Sequence, residues 1–251
     1  MILSTEDLLK QIPKEVNAIT KRSRLEQQRE EWLAKRRGRI TASGVGKLFT
    51  STLKPADNKQ AYQYICERMA ERDGAVIPQT SARATEWGNE QEPYAVIAYM
   101  VKTGHIVTKW GDGELYEVEG KEYQSDGQEF LMLGDHEGAT PDGLMLPVDK
   151  CLQIKSPYNP GVHRMYCLMN SAEDVKKIEP KYYAQMQHEM RVVRGTVGPN
   201  VTACDFVSFD PRNKKQPLKI ITIAYDEEFQ QTLSDTIKEK AELMQQLSEK
   251  K

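Results

Sequence analysis

The sequence lacks long hydrophobic runs, clustered cysteines and internal repeats. No uninterrupted apolar segment among its 251 residues approaches the roughly 20 that a helix needs to cross a bilayer, and the mean hydropathy is −0.66. Glu6 and Asp7 interrupt the start of the chain and no long apolar core follows, which argues against a signal peptide. These absences exclude a membrane-spanning protein and predict a soluble, cytoplasmic one.

The cysteines are few and far apart. Four are present, Cys66, Cys151, Cys167 and Cys204, with no Cys-x-x-Cys pair and no close Cys/His cluster. Zinc sites need closely spaced ligands, and disulfide frameworks belong to oxidising compartments. The spacing therefore argues against both kinds of site and favours a reducing compartment.

Charge is distributed unevenly along the chain, although the net charge is only −2. Residues 1–50 hold 11 Lys and Arg against 6 Asp and Glu, whereas residues 111–142 hold 10 Asp and Glu against one Lys. The near-neutral balance excludes a protein that coats polyanions over its whole surface. It leaves two interpretations: a basic path with an acidic pocket, or two solvated faces of opposite sign.

Periodicity predicts helices on either side of a run of short strands. Helical patterns cover residues 23–38, part of 40–49, 60–72, 85–104, 171–178, 181–194 and 226–251, the last with an amphipathic stripe. Strand patterns run from Ile106 to Ile154 and recur at 203–211 and 218–225. We therefore expect an α/β or α+β fold with a central mixed sheet flanked by helices. One domain would cover 1–251, with 1–22 as an N-terminal extension.

The helix predicted over 85–104 contains Pro93. Proline is tolerated in the first turn, where its missing N–H has no helical partner. We therefore expect this helix to begin near Asn89, with Glu92 as its partner in a capping box.

The segment 138–157 carries the strongest chemical signal. Asp142 lies in a Pro-Asp-Gly turn, and Cys151, Gln153 and Lys155 share one face of the following strand. If the two strands pair, Asp142, Gln153 and Lys155 converge. Oxygen ligands suit Mg²⁺, and a neighbouring lysine can orient or deprotonate a nucleophile, as phosphodiester hydrolysis requires. Each piece alone is more typical of an ordinary turn or strand.

Five motifs in order make the chain similar to a known family. They are Arg36-Arg37-Gly38-Arg39-Ile40-Thr41-Ala42-Ser43, Trp87-Gly88 followed by Glu92, Pro141-Asp142-Gly143-Leu144, Gln153-Ile154-Lys155-Ser156-Pro157, and Tyr182-Tyr183-Ala184-Gln185-Met186-Gln187, with a weaker sixth in Phe209-Asp210-Pro211-Arg212. Together they resemble the lambda-exonuclease/YqaJ-type viral recombinases of the PD-(D/E)XK nuclease superfamily. This resemblance implies a restriction-endonuclease-like core and a phage or prophage origin.

The resemblance implies a role for each matching residue at the metal site. Asp142 matches the bridging metal carboxylate, Gln153 occupies the second acidic position and Lys155 matches the catalytic lysine. The backbone carbonyl of Ile154 would be a further ligand, and Glu92 matches a helix-borne glutamate that reaches a second metal ion. The implied cofactor is Mg²⁺, with two ions bound, for which Mn²⁺ can substitute.

Other matching residues are implied to bind DNA. Arg36, Ser43 and Thr140 match positions that hold a 5′-phosphate in the family, which suits a guanidinium assisted by hydroxyl donors. Gln185 and Tyr182 lie three apart on one helix face and can point into the cleft together. Tyr182 suits a core position equally well.

Gln153 departs from the family pattern, which usually has Glu there. An amide oxygen carries no charge, so the site would hold Mg²⁺ less tightly. Three explanations remain open: a native and active glutamine, a residue mutated to trap a complex, or a chain that has lost activity.

Three functions follow from the residues and the resemblance. The first is a Mg²⁺-dependent exonuclease that digests the 5′-phosphorylated strand of linear duplex DNA in the 5′-to-3′ direction. The resemblance gives it a homotrimeric ring and a single-strand annealing protein as partner. The alternatives are a DNA-end-binding recombination module with a weakened site, and a PD-(D/E)XK endonuclease.

Overall fold

The structure is a computed structural model that describes residues 26–78 and 83–249. The extension expected over residues 1–22 lies outside these ranges. The chain divides into two compact units, Met1–Arg36 and Arg37–Lys251. The described part of the first unit is helix α1 over residues 26–36, in which the Arg36 guanidinium lies 4.9 Å from the centre of the Trp32 ring.

The described part of the second unit contains helices and three sheets. Its helices are α2 (Ala42–Val45), a 3₁₀ turn (Gly46–Leu48), α3 (Lys59–Arg72), α4 (Arg83–Thr103), α5 (Pro160–Leu168), α6 (Ala172–Ile178), α7 (Pro180–Thr196) and α8 (Glu227–Ser248). Its strands are β1 (Ile40–Thr41), β2 (Ile106–Thr108), β3 (Leu115–Val118), β4 (Lys121–Gln124), β5 (Leu131–Leu133), β6 (Glu137–Ala139), β7 (Gly143–Leu146), β8 (Lys150–Lys155), β9 (Ala203–Phe209) and β10 (Leu218–Ala224). No described helix combines the length and apolar character that a bilayer crossing requires.

The largest sheet has five strands in the order β10-β9-β8-β7-β2. Strands β8 and β9 pair in parallel, with Gln153 opposite Phe206, and the other pairs are antiparallel. The parallel pair is joined by a crossover through α5, α6 and α7, as parallel strands require. A smaller sheet has the order β1-β6-β5, and β3 and β4 form a hairpin. The predicted central mixed sheet flanked by helices is therefore confirmed.

Two hydrophobic clusters cover opposite faces of the five-stranded sheet. One contains Met186 of α7 with Cys151 and Phe206 of the central strands. The other contains Ile97 of α4 with Leu152. Strand β8 alternates as predicted, but both of its faces are buried, which is typical of a parallel strand covered by helices on two sides. The sheet thus holds α4 and α7 at fixed positions on either side of the residues that end β8.

Helix α4 differs from its prediction. The helix is already formed at Arg83, and Pro93 lies inside it as a buried residue. The expected start near Asn89 and the capping box of Asn89 with Glu92 were wrong. The Pro93 ring removes one helical hydrogen bond, but Trp87 packs under the Arg212 guanidinium and gives the preceding turns a tertiary contact. Local helix rules did not include that contact.

Helix α5 had no counterpart in the prediction. Its signal is nevertheless present in the sequence, because Asn159 accepts a hydrogen bond from Gly161 N and Pro160 occupies the first helical position. The helices predicted over 60–72, 171–178, 181–194 and 226–251 are confirmed as α3, α6, α7 and α8.

The glycine of the Pro-Asp-Gly turn is required by packing. A Cβ atom built on Gly143 would collide with Val107 Cγ1 on the neighbouring strand β2. We expect Gly143→Ala to lower the free energy of unfolding by about 1–3 kcal/mol, the usual cost of overpacking a filled interior. Urea denaturation measures the change. Gly198→Ala is the control, because a Cβ there meets no atom within 4 Å; equal losses in both variants would contradict the packing argument.

A buried carboxylate joins β6 to α7. Glu137 accepts a hydrogen bond from His188 Nε2 at 2.9 Å and two from Arg191, through Nε and Nη2, at 3.2 Å each. Burial raises the pKa of Glu137, but the interactions with His188 and Arg191 outweigh it, so its pKa lies below the ordinary value. Because the folded state prefers the ionised form, this contact stabilises the fold most above the ordinary pKa of a glutamate.

Removing this charge should destabilise the protein in a pH-dependent way. We expect Glu137→Gln to lower the free energy of unfolding by about 2 kcal/mol near neutral pH, since hydrogen bonds to a charged group are lost. The difference from the wild-type protein should shrink as the pH falls through the lowered pKa of Glu137, where the carboxylate becomes protonated in both states. Urea denaturation across the acid range measures this difference, and a constant difference would refute the assignment.

Candidate functional site

Asp142 is fixed to the end of β8 by main-chain hydrogen bonds. Its own N–H donates to the carbonyl of Leu152 at 3.0 Å, and the N–H of Ile154 donates to Asp142 Oδ2 at 2.6 Å. The antiparallel pairing of Gly143 with Leu152 continues this contact into the sheet. The carboxylate therefore lies directly beside the strand that carries Gln153 and Lys155.

Gln153 lies between Asp142 and helix α7. Its Nε2 donates to Asp142 Oδ2, and also to the Ile154 carbonyl at 3.3 Å, while its Oε1 accepts a hydrogen bond from Gln185 Nε2. The amide nitrogen thus faces Asp142 and the oxygen faces Gln185. A half-turn of the amide, matched by a half-turn of Gln185 so that an oxygen again faces a nitrogen, would place three oxygens, from Asp142, Gln153 and Ile154, around one position.

Lys155 ends β8 beside a tyrosine and two carboxylates. Its Nζ lies 4.5 Å from the centre of the Tyr182 ring, which stacks in turn on Phe206. The ammonium group lowers the pKa of both Asp142 and Glu92. Tyr182 therefore belongs to the core and to the surroundings of Lys155 at the same time.

Glu92 reaches the same place from α4, on the other side of the sheet. It accepts a hydrogen bond of 2.6 Å from Gln128 Nε2. Burial and the neighbouring Asp142 raise the pKa of Glu92 to about 8, against the lowering effects of Lys155 and Gln128. Burial also raises the pKa of Asp142, to about 6, although Lys155, the Ile154 N–H and Gln153 lower it.

Glu189 is a site residue that the sequence reasoning missed. It is 0% exposed, its Oε1 accepts a hydrogen bond of 2.9 Å from Gln185 Nε2, and its Oε2 has no partner among the described residues. Burial, followed by the charge of Asp142, raises its pKa well above the ordinary value. The sequence signal was its position four residues after Gln185, on the same helix face.

The residues expected to bind a 5′-phosphate are distributed over both units. Strands β1 and β6 pair in parallel, with Thr41 opposite Gly138, so Ser43 and Thr140 follow adjacent strand ends on one edge. Ser43 is exposed, and Thr140 precedes Asp142 by two residues. Arg36 lies in the first unit, and its role in phosphate binding stays a prediction.

The weak sixth motif fastens the loop that follows β8. Arg212 Nε and Nη2 bind the buried Asp210 carboxylate at 2.8 and 3.0 Å, and Nη2 also reaches the carbonyls of Pro157 and Tyr158 at 3.2 and 3.0 Å. The guanidinium carbon lies 4.2 Å from the centre of the Trp87 ring. Three distant motifs therefore meet just beyond Lys155.

The donor set suits a hard cation. Asp142 raises the pKa of both Glu92 and Glu189, and the Lys155 ammonium lowers the pKa of all three carboxyl groups. Glu189 Oε2 has no hydrogen-bond partner among the described residues. Crowded buried charges of one sign are costly unless a counter-charge is present. Over residues 26–78 and 83–249, no three His, Cys, Asp or Glu side chains form a ready-made metal cluster. The oxygens here include an amide and a backbone carbonyl, ligand types that Mg²⁺ accepts.

The chain matches the YqaJ-like viral recombinase domain over residues 31–198. The matched segment includes Glu92, Asp142, Gln153, Lys155 and Glu189. No curated protein matches the chain.

Solved structures of exonucleases share the fold. The alkaline exonuclease LHK-Exo from Laribacter hongkongensis is 27% identical with a TM-score of 0.61, and its complex with dAMP is 26% identical with a TM-score of 0.62; in each case the match covers 88% of this chain and 97% of the other. A phage-related exonuclease from Haemophilus somnus is 16% identical, with a TM-score of 0.60, over 84% of this chain and 96% of its own, which shows the fold alone. The fold and family expected from the motifs are thereby confirmed.

Replacing Glu92 by Gln should stabilise the metal-free protein, by an amount that grows with pH. Between the ordinary pKa of a glutamate and the raised value of about 8, unfolding lets this group ionise and so favours the unfolded state. We expect Glu92→Gln to remove this effect and to raise the free energy of unfolding by about 1–2 kcal/mol near pH 8, with little gain near pH 5.

Urea denaturation in EDTA at the two pH values measures the gain. Glu242→Gln removes one negative charge from an exposed position of α8 and serves as the control. An equal gain from Glu92→Gln at both pH values would show that Glu92 is not strained by its surroundings.

Proposed function

We propose that this chain, which belongs to the YqaJ-like viral recombinase domain family, is a Mg²⁺-dependent exonuclease. Its substrate would be the 5′-ended strand of linear double-stranded DNA. The observation that carries the proposal is the meeting of Asp142, Lys155 and Glu92 from a turn, a strand end and a helix. Carboxylates beside a lysine at the open end of buried strands suit hydrolysis of a phosphodiester.

The names of the structural neighbours support a DNA substrate. LHK-Exo is described as an alkaline exonuclease, and one of its structures contains dAMP. A deoxynucleoside monophosphate is the unit that stepwise hydrolysis removes from a DNA strand. We extend this activity to the present chain because the match covers nearly nine-tenths of it.

The residues divide the chemistry between them. Asp142, the Ile154 carbonyl and Gln153, after a half-turn of its amide, would hold the ion, and Glu92 would hold a second one. Bound Mg²⁺ supplies an activated water and neutralises charge on the phosphate. Lys155 Nζ lies close enough to influence both Asp142 and Glu92, and there its ammonium group can orient the attacking water and stabilise negative charge that develops on the phosphate.

The end specificity follows from the phosphate-binding residues. Ser43 and Thr140 follow adjacent parallel strands, and Thr140 leads directly into Asp142. We propose that their hydroxyls bind a 5′-phosphate, as their counterparts do in the family, and that Arg36 has the phosphate-binding role that the family resemblance implies for it. A homotrimeric ring around the duplex and a single-strand annealing protein that takes up the 3′ strand complete the proposal.

Gln153 favours one other candidate function. A site without the usual second carboxylate suits a DNA-end-binding module in a recombination complex, with the same fold and little hydrolysis. An endonuclease of the same superfamily is the remaining alternative. Covalently closed circular duplex distinguishes it, because only an endonuclease cuts a DNA without ends.

Lys155→Met should abolish digestion while the protein stays folded. The variant keeps an unbranched apolar side chain but loses the ammonium group that lies over Tyr182, and we expect the rate to fall by at least about a hundredfold. A time course on a 5′-phosphorylated linear duplex with a distal label and Mg²⁺ measures the rate, with circular dichroism as the folding control. Digestion at the wild-type rate by Lys155→Met would refute the assignment.

The same assay on Gln153→Glu separates the candidate functions. Digestion by both the wild-type protein and Gln153→Glu supports an active site with a working glutamine. Digestion by the variant alone favours the end-binding module, and cleavage of closed circles favours the endonuclease.

A further inference from the structure

We infer that Glu189 provides the carboxylate that the glutamine at position 153 does not, and that its free oxygen is a ligand of the cation held by Asp142. The inference deepens the proposed function and rests on it. It assigns a metal-binding role to a helix residue outside the strand motif that carries Asp142, Gln153 and Lys155.

The first argument is the unpaired oxygen. Glu189 is fully buried, yet its Oε2 has no hydrogen-bond partner within the described ranges, 26–78 and 83–249. A buried carboxyl oxygen without a hydrogen-bond partner is costly whether or not the group is ionised, so a native structure rarely keeps one without a use. A cation at the site would supply the missing partner.

The second argument is the position of the residue beside the ligands. Gln185 Nε2 donates both to Glu189 Oε1 and to Gln153 Oε1, and Gln153 in turn contacts Asp142. Four side chains from α7, β8 and the turn before β7 therefore form one continuous hydrogen-bonded row. Glu189 also interacts electrostatically with Asp142 and Lys155, the two charged groups at the centre of the site.

The third argument concerns charge. The strand supplies an amide at position 153, next to Asp142, and a helix that packs on the same strand supplies a buried carboxyl group. The helix would then supply to the cation the negative charge that the strand does not. Electrostatic attraction to a divalent ion depends on the distances of the charges and not on the element that carries them.

Mn²⁺ affinity tests the inference without any catalytic assay. We propose isothermal titration calorimetry of the metal-free full chain with MnCl₂, in the absence of DNA, for the wild-type protein and Glu189→Gln. The substitution keeps the shape of the side chain and removes its charge. We expect Mn²⁺ affinity to fall at least about tenfold, since even groups that only orient metal ligands are worth 10- to 100-fold.

A relocation of the charge provides the second variant. In Gln153→Glu/Glu189→Gln the carboxylate returns to the strand, and the helix carries the amide. We expect this double variant to regain the wild-type Mn²⁺ affinity.

Glu137→Gln is the matched control. Glu137 is also a buried carboxylate in contact with α7, through His188 and Arg191, but it is fully paired by them. Its substitution should lower thermal stability and leave Mn²⁺ affinity unchanged. Glu189→Gln should show the opposite pattern in EDTA: stability unchanged or raised, and affinity lowered.

The outcomes separate this inference from the proposed function. If the wild-type protein binds Mn²⁺ and Glu189→Gln binds it equally well, the inference is wrong and the proposed function stands. If Glu189→Gln loses affinity and the double variant does not recover it, Glu189 is only a support for Gln185 and the ligand assignment is wrong. If the wild-type protein binds no Mn²⁺, both the inference and the metal-dependent function are overturned.

Discussion

The main-chain hydrogen bond from Ile154 to Asp142 is the contact on which the site depends. It fixes the carboxylate to one position along β8, so that Gln153 and Lys155, on either side of Ile154, point toward α7 on the same face. A slip of the strand by one residue would turn both side chains to the opposite face. The register is secured by Leu152, packed with α4, and by Cys151, packed with α7. Apolar packing therefore determines where the polar groups meet.

This arrangement places the carboxyl groups of Asp142 and Glu92 where burial opposes their ionisation. Burial raises the pKa values of Asp142 and Glu92, which means that the folded protein opposes their ionisation until a counter-charge arrives. The paired carboxylate of Glu137 behaves in the opposite way, because His188 and Arg191 already neutralise it. The same chain thus contains a paired acid that stabilises the fold and partly or fully buried acids that weaken it. The second kind all lie around Lys155, which is the distribution expected of a binding site.

The sequence predicted the parts of this site that local rules govern. Strand alternation placed Gln153 and Lys155 on one face, and the Pro-Asp-Gly turn placed Asp142 beside them. The start of α4 was wrong because a helix that contains Pro93 is held by a contact between Trp87 and Arg212, which are 125 positions apart in the chain. The residue-level roles in metal and phosphate binding came from the family resemblance, and they stay predictions. No local sequence pattern could identify Glu189 as a site residue, because a glutamate in a helix is normally solvated.

The position of Glu189 beside β8 follows from the topology of the five-stranded sheet. The parallel pairing of β8 with β9 requires a crossover, and this crossover ends in α7, which packs across β8. A residue on the inner face of α7, such as Glu189, therefore lies beside the residues that end β8. Gln153 and Glu189 cannot be interpreted separately, since the side chains of both accept hydrogen bonds from Gln185 Nε2. A sequence motif along β8 includes Gln153 but not Glu189. The charge of the site therefore depends on residues of both β8 and α7.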